Sequence, residues 1–320
     1  MQILMLGQND PAGMMIAFAN AINHHTTHTA RVISMRTVYS SDYEYDIELA
    51  RIKDDYSEIE DLLIKSDIFH FHMLLDENYQ LGPIQIKDYI HGKGLLYHHH
   101  GTYDHQSFLA LAKNYNDKYK STKKRAIVST PDLLKLLPIA TWQPNLVPLN
   151  NIDFLPRFSH LTNQSNIKIA QAPTRKWNKH TAEFSRVCTK LESKYPNVKG
   201  HIIENISHRE CLKFKRSCHA VFDHMNGWFG ISSLESLAQG VPTIAGLDDW
   251  NITQINEFTG LSDIPWIIAR TENELELELS KLIRDPELRL IIGKASRRFM
   301  ESSWSEKQVL SLLTDTYNKL

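Results

Sequence analysis

Short apolar runs alternate along the chain with longer amphipathic stretches, which predicts strands and helices in turn. Residues 2–7 read as an apolar strand ending in Gly7. The loop from Gln8 to Gly13 leads into an apolar helix through about Asn23, with Pro11 in its first turn and Gly13 open to close approach by a ligand. Arg31–Ser34 is the next strand. A helix over 54–65 places Ile59, Leu62 and Leu63 on one side. Asp67–His72 is a strand, Pro83–Gly92 a helix, Gly94–His100 a strand stopped by Gly101, and Arg125–Ser129 another strand.

Pro138, Pro144, Pro148 and Pro156 then mark a stretch without periodicity, and a domain boundary is placed there. The alternation restarts with a strand at Ile167–Ala170, a helix over 178–194 and a strand at Val198–Ile203. A helix over 207–217 and a strand at Ala220–Phe222 follow. A further strand is expected at Trp266–Ala269, and helices at about 272–284, 286–302 and 305–319 close the chain. Such alternation implies α/β architecture, with parallel sheets covered by helices on both faces. Two units of this kind facing each other would take a ligand in the crevice at their strand C-termini.

The chain's 320 residues suit two domains better than one. With 42% hydrophobic and 23% charged residues it is globular, and a net charge of −1 gives no global drive toward nucleic acid or membrane. The opening Met1–Gly7 lacks a basic region and is too short for a signal peptide, and no stretch approaches the ~20 apolar residues of a membrane helix. Cys188, Cys211 and Cys218 have no metal-type spacing, and their odd number argues against a disulfide framework. A reduced, cytoplasmic protein is expected, with Cys211 and Cys218 in core packing.

The most informative segment is Gly227–Ala245. It reads as a glycine-bearing loop, a helix and a buried strand. Gly227 and Gly230 allow backbone N–H groups to approach a ligand, Ser232 and Ser233 sit where the helix begins, and Gly240 ends it. The first N–H groups of a helix have no intrahelical partner and attract anions. Glu235, one turn further in, can accept two sugar hydroxyls. Phosphate beside a diol means a nucleotide.

Thr174–Lys179 follows the first strand of the second half, so Arg175 and Lys179 could neutralise a diphosphate leaving group. No Asp-x-Asp triplet exists to hold a metal–diphosphate complex, so cations and backbone dipoles must do that work and no metal cofactor is expected. His70 and His72 share one strand face, as do His98 and His100. Four imidazoles near strand ends could bind zinc, but no carboxylate or cysteine joins them at metal spacing. His100 is expected to position substrate or take part in catalysis, and His98 and His99 to be structural. The basic, tyrosine-interleaved segment 113–125 reads either as a solvated helix and turn or as a contact for a peripheral membrane surface or charged acceptor.

Together these segments resemble the GT-B glycosyltransferases of the large retaining group classed as family four. Gly227–Ala245 is similar to that family's Glu-Gly-Phe-Gly-x4-Glu block and the Ala-x-Gly-x-Pro after it. Tyr97–Thr102 and Val128–Leu134 resemble its N-terminal domain, Trp142–Asn145 its entry to the linker, and Arg297–Trp304 its closing helices.

The resemblance implies two Rossmann-like α/β/α domains facing across a deep cleft: an acceptor-side domain over 1–148, a nucleotide-sugar domain over 149–303, and a last helix over 304–320 that crosses back to the first. It further implies that Glu235 binds the donor ribose and that Arg175 and Lys179, with Thr174 in the same loop, hold the diphosphate. Gly230, Ile231 and Ser232 would offer backbone N–H groups, His100 would contact the donor sugar, and Gly13 would face donor phosphate or acceptor. The family's first glutamate falls on Gly227, and Trp228 stands where glycine is usual. Asp223 and His224 are the candidates to replace that carboxylate.

The expected function is transfer of a sugar from a nucleotide-diphosphate sugar, UDP-linked, with retained anomeric configuration and without metal. A non-catalytic nucleotide-sugar-binding or partner subunit is the alternative. The acceptor is open among a saccharide, a lipid-linked saccharide, a protein, a small molecule and modified DNA, and the oligomeric state is open too.

Overall fold

The structure, a computed structural model, describes residues 1–10, 12–36, 43–101, 114–115, 117–120 and 124–320. Pro11, Thr102, and residues 113, 116 and 121–123 of the basic segment lie outside the described residues. Two compact units divide the chain. The first comprises Met1–Leu146 and Glu306–Leu320, the second Val147–Ser305.

The first unit is built on β1 (Gln2–Gly7), β2 (Thr29–Ser34), β3 (Ile47–Glu48), β4 (Ile68–His72), β7 (Gly94–His99), β8 (Lys124–Val128) and β9 (Thr141–Trp142). These form one sheet in the order β3-β2-β1-β4-β7-β8-β9, with every neighbouring pair parallel. One face carries Phe69, Phe71 and Tyr97 into a core with Ile59 and Leu63 of α2 (Ser57–Lys65). The other face carries His70, His72 and His98 toward α1 (Met14–His25) and the chain's last helix, Glu306–Tyr317. Phe18 meets the His98 ring, and Tyr317 meets that of His70.

Where a helix over 83–92 was expected, the chain forms an antiparallel pair, β5 (Gln80–Leu81) with β6 (Ile84–Gln85), then a 3-10 turn at Ile86–Asp88. Pro83 suits a helix start, but Ile84 and Ile86 follow period two. Leu81 and Ile86 are both fully buried, so packing chose the hairpin.

The second unit holds β10 (Ile167–Gln171), β11 (Val198–Ile202), β12 (Ala220–Phe222), β13 (Thr243–Ala245) and β14 (Ile267–Ile268), all parallel, in the order β11-β10-β12-β13-β14. Its helices are α3 (Thr181–Lys194), α4 (His208–Lys215), α5 (Ile231–Ala238), α6 (Asp249–Thr259), α7 (Glu272–Arg284) and α8 (Pro286–Ser303). Sequence periodicity missed α6. It has the capping signal, since Asp248 Oδ1 accepts the Asn251 N–H at 2.8 Å, but little apolar stripe. Ile169, Phe184, Phe222 and Leu275 fill one side of this sheet, and Ala170, Val221 and Val241 the other. The three cysteines are free, with Cys188 and Cys218 buried and Cys211 half-buried. Burial pushes the Cys188 and Cys218 thiols up to about 12, as core packing demands.

No helix among the described residues is long and apolar enough to cross a membrane.

Candidate functional site

In the second unit the strand order reverses beside β10, which has β11 on one side and β12 on the other. Open parallel sheets bind ligands beyond the strand C-termini at such a reversal. The loop after β10 carries Thr174, Arg175 and Lys179, and the loop after β12 carries Asp223, His224 and Gly227. Gln171, the last residue of β10, ties these loops together. Its side-chain amide donates to the Lys179 carbonyl at 2.6 Å and to the Asp223 carbonyl at 3.0 Å. Lys179 is thereby brought to the strand end, where its ammonium lies 2.9 Å from Asp223 Oδ1. Arg175 is half-buried at the head of the turn Lys176–Asn178, and Thr174 before it is exposed.

Asp223 Oδ2 accepts the Gly230 N–H at 2.6 Å and the Ser233 hydroxyl at 2.8 Å. Burial raises this carboxyl, but the His224 imidazole, the Lys179 ammonium and the Gly230 N–H together hold it well below the usual carboxylate range. The N-terminus of α5 is therefore partly filled by the protein's own carboxylate. Gly230 has spent its N–H, while Ile231 and Ser232 lie half-buried in the first turn. This corrects the reading of Asp223 and His224 as sugar-facing substitutes. Asp223 is 3% exposed with its oxygens engaged, and His224 is fully buried.

A different carboxylate stands at the gap. Gly227 has φ +94°, a conformation that strains any side chain, and a Cβ there would lie 3.5 Å from Asp248 Oδ2. The Gly227 carbonyl accepts the Asp248 N–H at 2.7 Å, fixing this approach. Asp248 was missed because its signal, a helix cap, belongs to the unrecognised α6.

Glu235 lies one turn inside α5 and is 6% exposed. Its Oε2 is 2.7 Å from Lys215 Nζ and its Oε1 2.7 Å from His208 Nε2. The fully buried Lys215 also donates to the Ser232 carbonyl at 2.9 Å and to its hydroxyl at 3.0 Å. Burial pushes the Glu235 carboxyl up. Lys215 first and His208 second more than reverse this, leaving it at about 2. Glu235 is thus an ionised acceptor with two bonds made and lone pairs left for two more donors. Neither Lys215 nor His208 was legible as a partner, because each comes from α4, twenty or more residues away in sequence.

In the first unit, His100 follows β7 with both ring nitrogens engaged. Nδ1 lies 2.8 Å from Ser129 Oγ and Nε2 lies 3.0 Å from His72 Nδ1. Burial, with His99 second, lowers its pKa to about 3. Of the two roles expected for His100, positioning substrate or taking part in catalysis, a neutral ring held at both nitrogens suits the first and not proton transfer.

Gly13 has φ +66°, and the ring of Tyr43 fills the space a Cβ would need. At the start of α1 the Asp10 carboxylate accepts the Ile16 N–H at 3.1 Å. Burial outweighs its bonds to Ile16, Met15 and Met14 and raises it to about 6. Gly13 thus accommodates a ring of its own chain, and Asp10 takes the helix N-terminus.

Among the described residues of 113–125, Lys118 lies 2.7 Å from Asp76, Lys120 2.7 Å from Asp117 and Lys124 3.0 Å from Glu77. Tyr119 is buried and stacked with Tyr115. Lys118, Lys120 and Lys124 are thus paired with carboxylates inside the unit and Tyr119 faces the core, while Arg125 is exposed.

No protein-family model matches the sequence, and no curated protein sequence matches it either. Solved structures do. An α-glucosyltransferase in complex with UDP and a 13-mer DNA containing an HMU base is similar over 99% of both chains, with TM-score 0.68 and 11% identity. Anabaena HepE in complex with UDP and glucose is similar over 100% of both, with TM-score 0.65 and 12% identity. UDP-GlcNAc 2-epimerase from Neisseria meningitidis, bound to UDP-GlcNAc, is similar over 100% of both, with TM-score 0.55 and 14% identity. At these identities the likeness is one of fold, and the chain has the GT-B fold, α/β with two Rossmann-like units.

Proposed function

We propose that the protein is a glycosyltransferase that takes a UDP-linked sugar and transfers the sugar, with retained anomeric configuration, to a hydroxyl-bearing acceptor. The observation that carries this is Glu235, a buried ionised carboxylate one turn inside a helix whose N-terminus meets Lys179 at a strand reversal. UDP or a UDP-sugar in the similar solved structures supports the uridine nucleotide.

In this reading Glu235 takes the ribose hydroxyls. The bond from the anomeric carbon to the diphosphate oxygen breaks, and the acceptor oxygen bonds that carbon on the same face. The departing phosphate oxygen receives the acceptor's proton, so no side chain need act as base. Charge grows on the diphosphate, offset by Lys179, Arg175 and the Ile231 and Ser232 N–H groups. An ammonium has three donors, and Lys179 spends one on Asp223, leaving two for phosphate. Asp248, beside Gly227, meets the sugar hydroxyls in place of the family's first glutamate. With protein cations at the diphosphate, added Mg2+ or Mn2+ changes turnover by less than about twofold.

The test is a panel of UDP-, GDP-, ADP- and TDP-sugars, with slow donor hydrolysis followed by mass spectrometry and binding by thermal shift. Hydrolysis of a UDP-sugar that is lost in Lys179→Ala is the expected result. Neither binding nor hydrolysis across the panel overturns the donor site. Asp248→Asn sharpens the test, because asparagine keeps the helix cap while removing the charge. Turnover should fall with little change in stability, and an unchanged rate removes Asp248 from the sugar site. Gly227 favours one second reading, a non-catalytic nucleotide-sugar-binding subunit, and binding without turnover on every donor and a broad acceptor set would select it.

A further inference from the structure

We propose that His70, His72 and His98 bind one transition-metal cation of the zinc class inside the first unit. The register of β4 and β7 sets His72 directly beside His98, and His70 lies two residues before His72 on the same face. One ring nitrogen from each of the three lies within 4.8 Å of the other two. All three side chains are buried, at 0%, 2% and 0% exposure for His70, His72 and His98.

Hydrogen-bond bookkeeping fixes the state of His72. The Ser129 hydroxyl donates its one proton to the His99 carbonyl at 2.9 Å, since a carbonyl can only accept. Ser129 Oγ must therefore accept from His100 Nδ1–H. A neutral His100 then accepts at Nε2 from His72 Nδ1–H. A neutral His72 is left with a bare lone pair on Nε2, a buried atom with no protein donor among the described residues. His70 Nδ1 lies 2.7 Å from the Tyr317 hydroxyl, and its Nε2 is likewise buried with no protein partner among the described residues. Neither nitrogen of His98 has one among the described residues.

Buried polar atoms are as a rule partnered, and four orphaned nitrogens at one spot call for a cause. Ring stacking alone, with centroids 4.2 Å apart for His70 and His72 and 5.3 Å for His70 and His98, explains the packing and not the lone pair. The opposite face of the same strands packs with Phe69, Phe71 and Tyr97, so imidazole is not required by shape. Metal-ligating histidines characteristically hold their second nitrogen in a hydrogen bond that orients the ring, as Tyr317 and His100 do here. Neutral imidazoles are the ligand form, and burial lowers all three rings well below the ordinary histidine value. Imidazole suits Zn2+ and its neighbours and not Mg2+ or Ca2+. Zn–N bonds of about 2.0–2.1 Å set ligand nitrogens about 3.4 Å apart, so the rings turn inward on binding.

The experiment strips the full-length chain with a chelator and titrates Zn2+ against a competing fluorescent indicator, with no nucleotide sugar present. Success or failure is therefore independent of the glycosyltransferase reading. The expected result is one Zn2+ per chain, a nitrogen-only X-ray absorption shell, and visible bands when Co2+ replaces Zn2+. His98→Phe keeps the ring volume and should weaken Zn2+ binding by about 100-fold or more, whereas mutating the exposed His24 leaves it unchanged. If His98→Phe does not fold, Tyr317→Phe takes its place, with about 10- to 100-fold weakening expected. Less than stoichiometric binding, a shell containing sulfur, or affinity indifferent to the variant that folds overturns the site.

Discussion

The two units place polar side chains at the ends of parallel strands and remove their cost in opposite ways. In the first unit the rings of His70, His72, His98 and His100 stack as neutral groups. In the second, Glu235 with Lys215 and Asp223 with Lys179 stay fully charged and are closed by partners. Neutral burial depends on the proton staying off, and charged burial depends on the partner staying on. The histidine cluster therefore responds to pH, and the two ion pairs to deletion of a partner.

Acid should separate the units most widely. An unfolded histidine titrates near 6.5, but folded His100 does so only at about 3, and His70, His72 and His98 move the same way. Below pH 6.5 the unfolded state holds more protons, so this stability is present above 6.5 and lost as pH falls toward 3. Each proton is worth about 1.4 kcal/mol per pH unit. Asp10, raised to about 6, and Glu306, raised by burial, oppose this as two groups against four, since their contributions are lost as pH rises. Glu235 loses its contribution only below 4.5, on the way to about 2. At pH 5, hydrogen exchange read by mass spectrometry should show the first unit, with four buried imidazoles, opening more than the second, where His219, lowered to about 4, and the less shifted His160 and His201 act in the same direction. Equal protection would break the contrast.

Next in size is Lys215→Met, which leaves Glu235 ionised and half-paired. Breaking a buried pair costs about 3–5 kcal/mol in guanidinium unfolding. Adding Glu235→Leu should recover most of that stability without recovering UDP binding, which isolates the recognition role from the structural one. If the double variant still binds UDP, Glu235 does not hold the ribose.

Lys179→Ala comes third. Turnover should fall about 100-fold, in line with the loss of one electrostatic stabiliser, while stability changes by about 1 kcal/mol or less. A stability loss that accounts for the whole rate loss would make Lys179 a brace for Asp223 alone. The smallest change, Ser129→Ala, removes the group that orients His100 and should cost about 1 kcal/mol.

Much of the frame was legible because it is local. The apolar runs at 2–7, 167–170 and 220–222 and the capped helix after Gly230 announce themselves within a dozen residues. The hairpin at Gln80–Gln85 was not legible, because Pro83 carries a helix-start signal that only burial of Leu81 and Ile86 overrides. At the site, Glu235 and Lys179 could be named from spacing, but their partners could not. Lys215 reaches Glu235 from another helix, Asp223 reaches Lys179 from another strand, and Asp248 reaches the 227 position through a backbone bridge. Sequence pattern shows which groups carry charge, and only the fold shows which charges are already answered.

The first unit closes with a segment made after the second unit. Tyr317 bonds His70, and Leu320 lies against Gly94, so strands at 68–72 and 94–99 are finished by residues that leave the ribosome only after all of Val147–Ser305. At synthesis rates of about 5–20 residues per second, that delay is about 8–30 s. The second unit, contiguous in sequence, can fold during that interval. The earlier half of the chain is left with an uncovered histidine face, the state in which a nascent protein is most exposed to chaperones, proteases and stray metal ions.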